Sequence, residues 1–148
     1  MMVRPLAQHA APWIVLLLVV LAAAQVTASP MARGDFKADF KSFLSGPALV
    51  GSFQLVEEEG VTYLEFGASF KAQKGPDLRI FLSKRSPESV TGDNAVNGSV
   101  RLGLLHEFTG SQRYRLPADV DLTEYSTVIV HCEAYSKLWG AGQLTFNP

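Results

Sequence analysis

The sequence predicts an all-β domain, a single β-sandwich or barrel of about seven short strands. Three observations predict it. Beyond residue 47, apolar residues recur at every second position in short runs, the spacing of half-buried strands. Turn residues punctuate those runs at regular intervals, as in Glu57-Glu-Glu-Gly60, Gly75-Pro76-Asp77 and Gly110-Ser111. The run from Thr127 to Tyr135 is dense in β-branched and aromatic residues and carries the sole cysteine, Cys132.

The first segment is an address. Arg4 and His9 precede an unbroken apolar run of 12 residues, Trp13 to Ala24, with no acid before residue 29. A spanning helix needs about 20 such residues. The basic start, short apolar run and small residues at Val26-Thr27-Ala28 read as a secretory signal peptide over 1–28, with a secreted product lacking a transmembrane segment. Cleavage would leave 120 of the 148 residues, enough for one core. With Arg4 gone, 12 Lys and Arg face 14 acids, a net charge of −2. That balance gives no electrostatic footprint for nucleic acid and no basic patch for anionic lipid.

Residues 29–46 read as a leader with a short amphipathic helix over 35–44, where Phe36, Phe40, Phe43 and Leu44 share a stripe and Gly46-Pro47 stops it. The β domain spans 47–148. Strands are expected over 49–56, 61–71, 78–83, 101–108, 113–116, 127–135 and 138–146, with a long polar loop over 84–99. In the fourth, Leu102, Leu104, His106 and Phe108 share a core face. In the strand over 127–135, Val128, Val130, Cys132 and Ala134 face the core, while Thr127, Ile129, His131, Glu133 and Tyr135 face away. His131 is therefore expected at the surface. Gly140 and Gly142 mark a bulge or a close backbone approach.

Candidate chemistry narrows quickly. There is no Gly-x-Ser-x-Gly elbow, and a cysteine nucleophile needs a histidine in reach; His131 lies on the opposite strand face from Cys132. Two histidines, one cysteine and Met31 match a blue-copper set in number, but no His or Met follows Cys132. Covalent haem would need Cys-x-x-Cys-His. No metal site is read. One cysteine in an exported chain is a buried free thiol, an intermolecular bridge or a ligand. A buried thiol without a positive partner is inert packing. Asn97-Gly98-Ser99 is an N-glycosylation sequon in a loop, used if the host glycosylates. Asp119, Asp121 and Glu124 form a solvated acidic turn.

Three runs carry a family resemblance: Gly75-Pro76-Asp77-Leu78-Arg79-Ile80-Phe81-Leu82-Ser83; Leu102-Gly103-Leu104-Leu105 with Gly110-Ser111-Gln112 and Tyr114 to Pro117; and Tyr125 to Cys132 followed by Trp139-Gly140-Ala141. Together they resemble the DM-thirteen domain family of electron-transfer domains, over about residues 49–146. The resemblance implies a solitary, secreted version whose hallmark cysteine is Cys132, acting as a redox thiol or as the ligand of a prosthetic group such as haem. His106 and Trp139 are then candidate cofactor contacts, with Phe108 and Tyr135 as aromatic neighbours. It departs from the family pattern at His131, where an aromatic commonly stands. The partner would be a redox protein or a component of the cell surface or matrix, and the chain reads as an electron-transfer or binding domain rather than a stand-alone enzyme. The alternative is a non-catalytic extracellular module for matrix or carbohydrate, with Cys132 as core and Arg101, Arg113 and Arg115 as an anion-binding strip.

Overall fold

A computed structural model describes residues 29–38 and 46–148. The expected signal peptide and the second half of the expected helix lie outside the described residues. The described residues form an all-β fold, built of short antiparallel strands. They are β1 (Ala32–Asp35), β2 (Lys37–Ala38), β3 (Leu49–Val50), β4 (Ser52–Glu58), β5 (Val61–Phe66), β6 (Lys71–Ala72), β7 (Leu78–Ser83), β8 (Val100–Leu104), β9 (Gln112–Arg115), β10 (Thr127–Cys132), β11 (Lys137–Gln143) and β12 (Thr145–Phe146). One five-stranded sheet has the order β12-β1-β4-β5-β9 and the other β2-β11-β10-β7-β8, while β3 and β6 form a separate pair.

The two large sheets enclose one core, as a sandwich does. Alternation along β4 and β5 sends Phe53, Leu55, Leu64 and Phe66 inward, and along β7 and β10 it sends Leu78, Ile80, Leu82, Val128, Val130 and Cys132 to meet them. An aromatic cluster closes one end: the Phe36 ring lies 4.7 Å from Phe53, 5.1 Å from Phe66 and 5.8 Å from Phe70 between centroids.

Phe36 also explains why no helix begins at Asp35. Residues 32–35 and 37–38 are strand on either side of Phe36, pairing β1 with β4 and β12 and β2 with β11. The apolar spacing that mimicked a helical stripe serves instead to deliver Phe36 to the core between two strands. The domain therefore takes in residues 32–38, ahead of the boundary expected at 47.

A second, smaller core lies on the outer face of the β7/β10/β11 sheet, formed by Phe81, Val90, Ala95, Ile129, Leu138 and Ala141. The polar loop over 84–99 folds across that face and is tied to it. Thr127 Oγ1 and Ser126 Oγ donate to the Arg85 carbonyl at 2.7 and 2.9 Å, and Asn94 braces the loop internally through Thr91 N and Ser89 O. All six residues of β10 are consequently buried. Among the described residues no helix is long and apolar enough to cross a membrane.

Candidate functional site

Cys132 is the last residue of β10 and is fully buried. Its predicted face holds: Val128 and Val130 share it. The strand ends there, however, and Glu133–Tyr135 form a 3-10 turn. Ala134 is therefore exposed rather than core-facing, and Tyr135 is 73% exposed and no neighbour of the buried thiol. The turn is closed by Ser136 in the left-handed conformation, φ 49°.

What lies over the thiol is the turn at 73–77. Cys132 Sγ donates to the Pro76 carbonyl at 3.0 Å. Trp139, also in this core, donates its indole Nε1–H to the Gln73 carbonyl at 3.0 Å. One turn is thus held from beneath by two side chains from adjacent strands. Gly75 lets it sit low: a Cβ there would lie 2.7 Å from the indole ring and 3.4 Å from Leu78. Asp77 takes φ 50°, the left-handed region that Asp tolerates better than most residues, and its carbonyl accepts from Glu133 N at 3.2 Å.

Trp139 reaches this position because β11 carries an extra residue. Val130 pairs with Gly140, yet His131 pairs with Leu138, so Trp139 is the unpaired residue of a bulge. Leu138 faces the small core, and Trp139 and Gly140 both face the large one. A Cβ at Gly140 would lie 2.6 Å from the Lys37 carbonyl, so the expected close approach is also present.

The rim of the site is charged. Arg79 Nε lies 2.5 Å from Glu133 Oε2, and its guanidinium bonds Asp77 at 2.8 Å. Arg101 pairs with the other Glu133 oxygen and lies over the Phe81 ring. Glu133, the residue after the cysteine, thus pairs with both Arg79 and Arg101. A carbonyl accepts only from a protonated thiol, and the nucleophile is the thiolate. With the turn in place, Cys132 Sγ is covered and engaged by the Pro76 carbonyl.

Both histidines lie elsewhere than their strand patterns predict. His131 does oppose Cys132 across the strand, but it is 2% exposed, because the loop over 84–99 covers its face. Its Nε2 is 2.8 Å from the Gly92 carbonyl, and its Nδ1 is buried without a hydrogen-bond partner. His106 leaves the core face: a bulge at Leu102 within β8 already turns Leu104 outward, 51% exposed, and the exposed imidazole stacks on the Tyr114 ring at 4.6 Å. The Tyr114 hydroxyl accepts from His106 N and donates to Gln112 Oε1. Burial pushes the Tyr114 phenol up to about 12, opposed by that backbone hydrogen bond. Phe108 is partly buried against the large core.

The expected anion strip is divided. Arg101 belongs to one sheet, and Arg113 and Arg115 to the other. Arg113 is paired with Glu58 and Glu65. Asn97 is exposed in a turn, with Gly98 at φ 70° and Ser99 Oγ donating to the Ala95 carbonyl at 2.6 Å. Among the described residues no group of three His, Cys, Asp or Glu is placed to hold a metal. Nor do the surroundings of Cys132 fit a haem: the thiol is fully buried and engaged by Pro76, and His106 is at the surface against Tyr114.

The partnership of Cys132 and Trp139 with residues 73–77 escaped the strand patterns. Its only sequence signal was Gly75-Pro76-Asp77, legible as a turn but not as a lid. Comparison with known families finds that the model described as Electron transfer DM13 matches residues 42–144. No curated protein and no solved structure matches the chain.

Proposed function

Since this chain belongs to the electron transfer DM13 family, we propose that it carries electrons through the thiol of Cys132, in the extracellular space. The observation that carries this reading is the hydrogen bond from Cys132 Sγ to the Pro76 carbonyl. That bond supports the reading because Cys132, the cysteine the resemblance points to, lies under a turn in which another of the family-like runs, Gly75 to Ser83, begins.

The chemistry is thiol–disulfide exchange gated by that turn. When residues 73–77 withdraw, the S–H loses its acceptor, the proton passes to solvent, and the thiolate attacks a disulfide of the redox partner. A Cys132–partner disulfide forms, and the partner's second sulfur leaves and takes a proton. A thiol of a second, dithiol partner then attacks Cys132 Sγ and releases the first partner's remaining sulfur as a thiol, and the dithiol's other sulfur resolves the new mixed disulfide, so that Cys132 leaves as a thiol. Each cycle moves two electrons from that dithiol, the reductant, to the first partner's disulfide, the oxidant. Trp139 positions the turn through Gln73, and Glu133 holds Arg79 and Arg101 at its rim.

The test is incubation of the purified protein with oxidised glutathione, read by intact mass, alongside Cys132→Ala. The parent should gain one glutathione reversibly and the variant none. A parent that gains none under native conditions, or a redox couple that survives in Cys132→Ala, would overturn the reading. Export by residues 1–28 and glycosylation of Asn97 belong to the same proposal. The exposure of Asn97 supports the latter.

A further inference from the structure

The outer face of the β1/β4/β5/β9 sheet carries a depression of about 700 Å³, within the size range of about 300–1,000 Å³ usual for ligand sites. Strand register explains its shape. Arg33 pairs with Gln54, Gln54 with Glu65 and Glu65 with Arg113, so four long polar side chains form one row across four strands. The neighbouring row is small: Asp35 pairs with Ser52, and Gly67 N donates to the Ser52 carbonyl. The surface therefore falls away from the long row into a trough.

We propose that this trough is a binding site for a neutral oligosaccharide. Its charges cancel, with Arg33 and Arg113 against Asp35 and Glu65, so it offers no net attraction to a polyanion or polycation. Along the row, hydrogen-bonding character runs donor, both, acceptor, donor. Sugar hydroxyls both donate and accept, and they match such a row where a uniformly charged ligand does not. Strands about 4.8 Å apart make the row about 14 Å long, room for a short chain of sugar rings.

Three of the four side chains in the row are also held before any ligand arrives. Gln54 Nε2 donates to Glu65 Oε2 at 3.0 Å, Arg113 lies 3.3 Å from Glu65 Oε1 and 3.0 Å from Glu58, and its guanidinium lies 3.8 Å from the Tyr63 ring centre. Side chains already fixed lose little entropy on binding. The Tyr63 ring is covered by that guanidinium, so recognition rests on hydrogen bonds rather than on stacking of sugar on an aromatic face.

Isothermal titration calorimetry with cellohexaose, chitohexaose and maltohexaose tests this, with a heparin hexasaccharide as the charged comparison. At least one neutral probe should bind. Gln54→Ala and Glu65→Gln should each weaken it at least about tenfold without lowering the melting temperature appreciably. Cys132→Ala should bind as the parent does, which separates this site from the thiol. Three outcomes each overturn the proposal: no neutral probe binding at millimolar concentration, binding of the heparin fragment alone, or a neutral affinity indifferent to both trough variants.

Discussion

Replacing Gly75 by alanine adds one methyl group where the turn over Cys132 meets Trp139. That Cβ would sit 2.7 Å from the indole, against an ordinary contact of 3.4 Å or more, so turn and ring must separate by about 0.7 Å. Gly75 is not in the left-handed region, and alanine adopts its backbone without strain. Overpacking of this kind costs about 1–3 kcal/mol. The strain falls on a turn whose hydrogen bonds to Cys132 and Trp139 are both about 3.0 Å long. If thiol exposure proceeds by local opening of that turn, its equilibrium constant should rise by about 5- to 150-fold. The assay is reaction of the native protein with a chromogenic disulfide reagent, repeated at low urea concentrations, beside equilibrium unfolding of the same variant. The parent should react slowly, and Gly75→Ala faster, with a urea dependence much shallower than that of global unfolding. A rate within about twofold of the parent, or one wholly accounted for by reduced global stability, refutes the gating turn.

His131→Ala should destabilise the protein by about 2–4 kcal/mol in urea unfolding, because it vacates a buried site and strands the Gly92 carbonyl; a variant as stable as the parent contradicts that packing. Tyr114 is uncharged when folded and has a folded pKa of about 12 against about 10 unfolded. Its contribution is full below pH 10 and is lost as pH rises through 12, up to about 3 kcal/mol. Unfolding profiles of parent and Tyr114→Phe should diverge in slope only above pH 10. From a eukaryotic secretory host, Asn97→Gln should run at the mass of the bare chain and the parent above it; equal masses would remove the glycan.

Strand β7 was legible residue for residue, because Leu78, Ile80 and Leu82 alternate and turn residues bound them. The burial of Cys132 was legible for the same reason. What strand alternation does not encode is which polar face another segment covers. His131 reads as a surface residue because its companions are Thr127 and Glu133, yet Val90 and Ala95 arrive from a loop whose composition is mostly polar. Nor does alternation encode a bulge: the one at Leu102 turns Leu104, still within β8, out of the core. His106 lies two residues beyond the end of β8, where Leu105 N still bonds the Leu78 carbonyl before the chain turns to Tyr114. Phe36 misled by local spacing: its partners Phe53, Phe66 and Phe70 are remote in sequence, and only they decide that it ends a strand.

The burial of β10 on both faces has a consequence for how the molecule breathes. Its amides are shielded by a strand on either side and by a core above and below, so they should exchange with deuterium only through the largest openings of the fold. The 3-10 turn that follows exposes Ala134, Tyr135 and Ser136. Cys132 therefore stands on a boundary between slow and fast exchange, one residue from backbone that opens readily. The sulfur is anchored to a strand paired on both sides, while the turn at 73–77 that covers it lies outside the sheets. Its position can stay fixed while access to it changes.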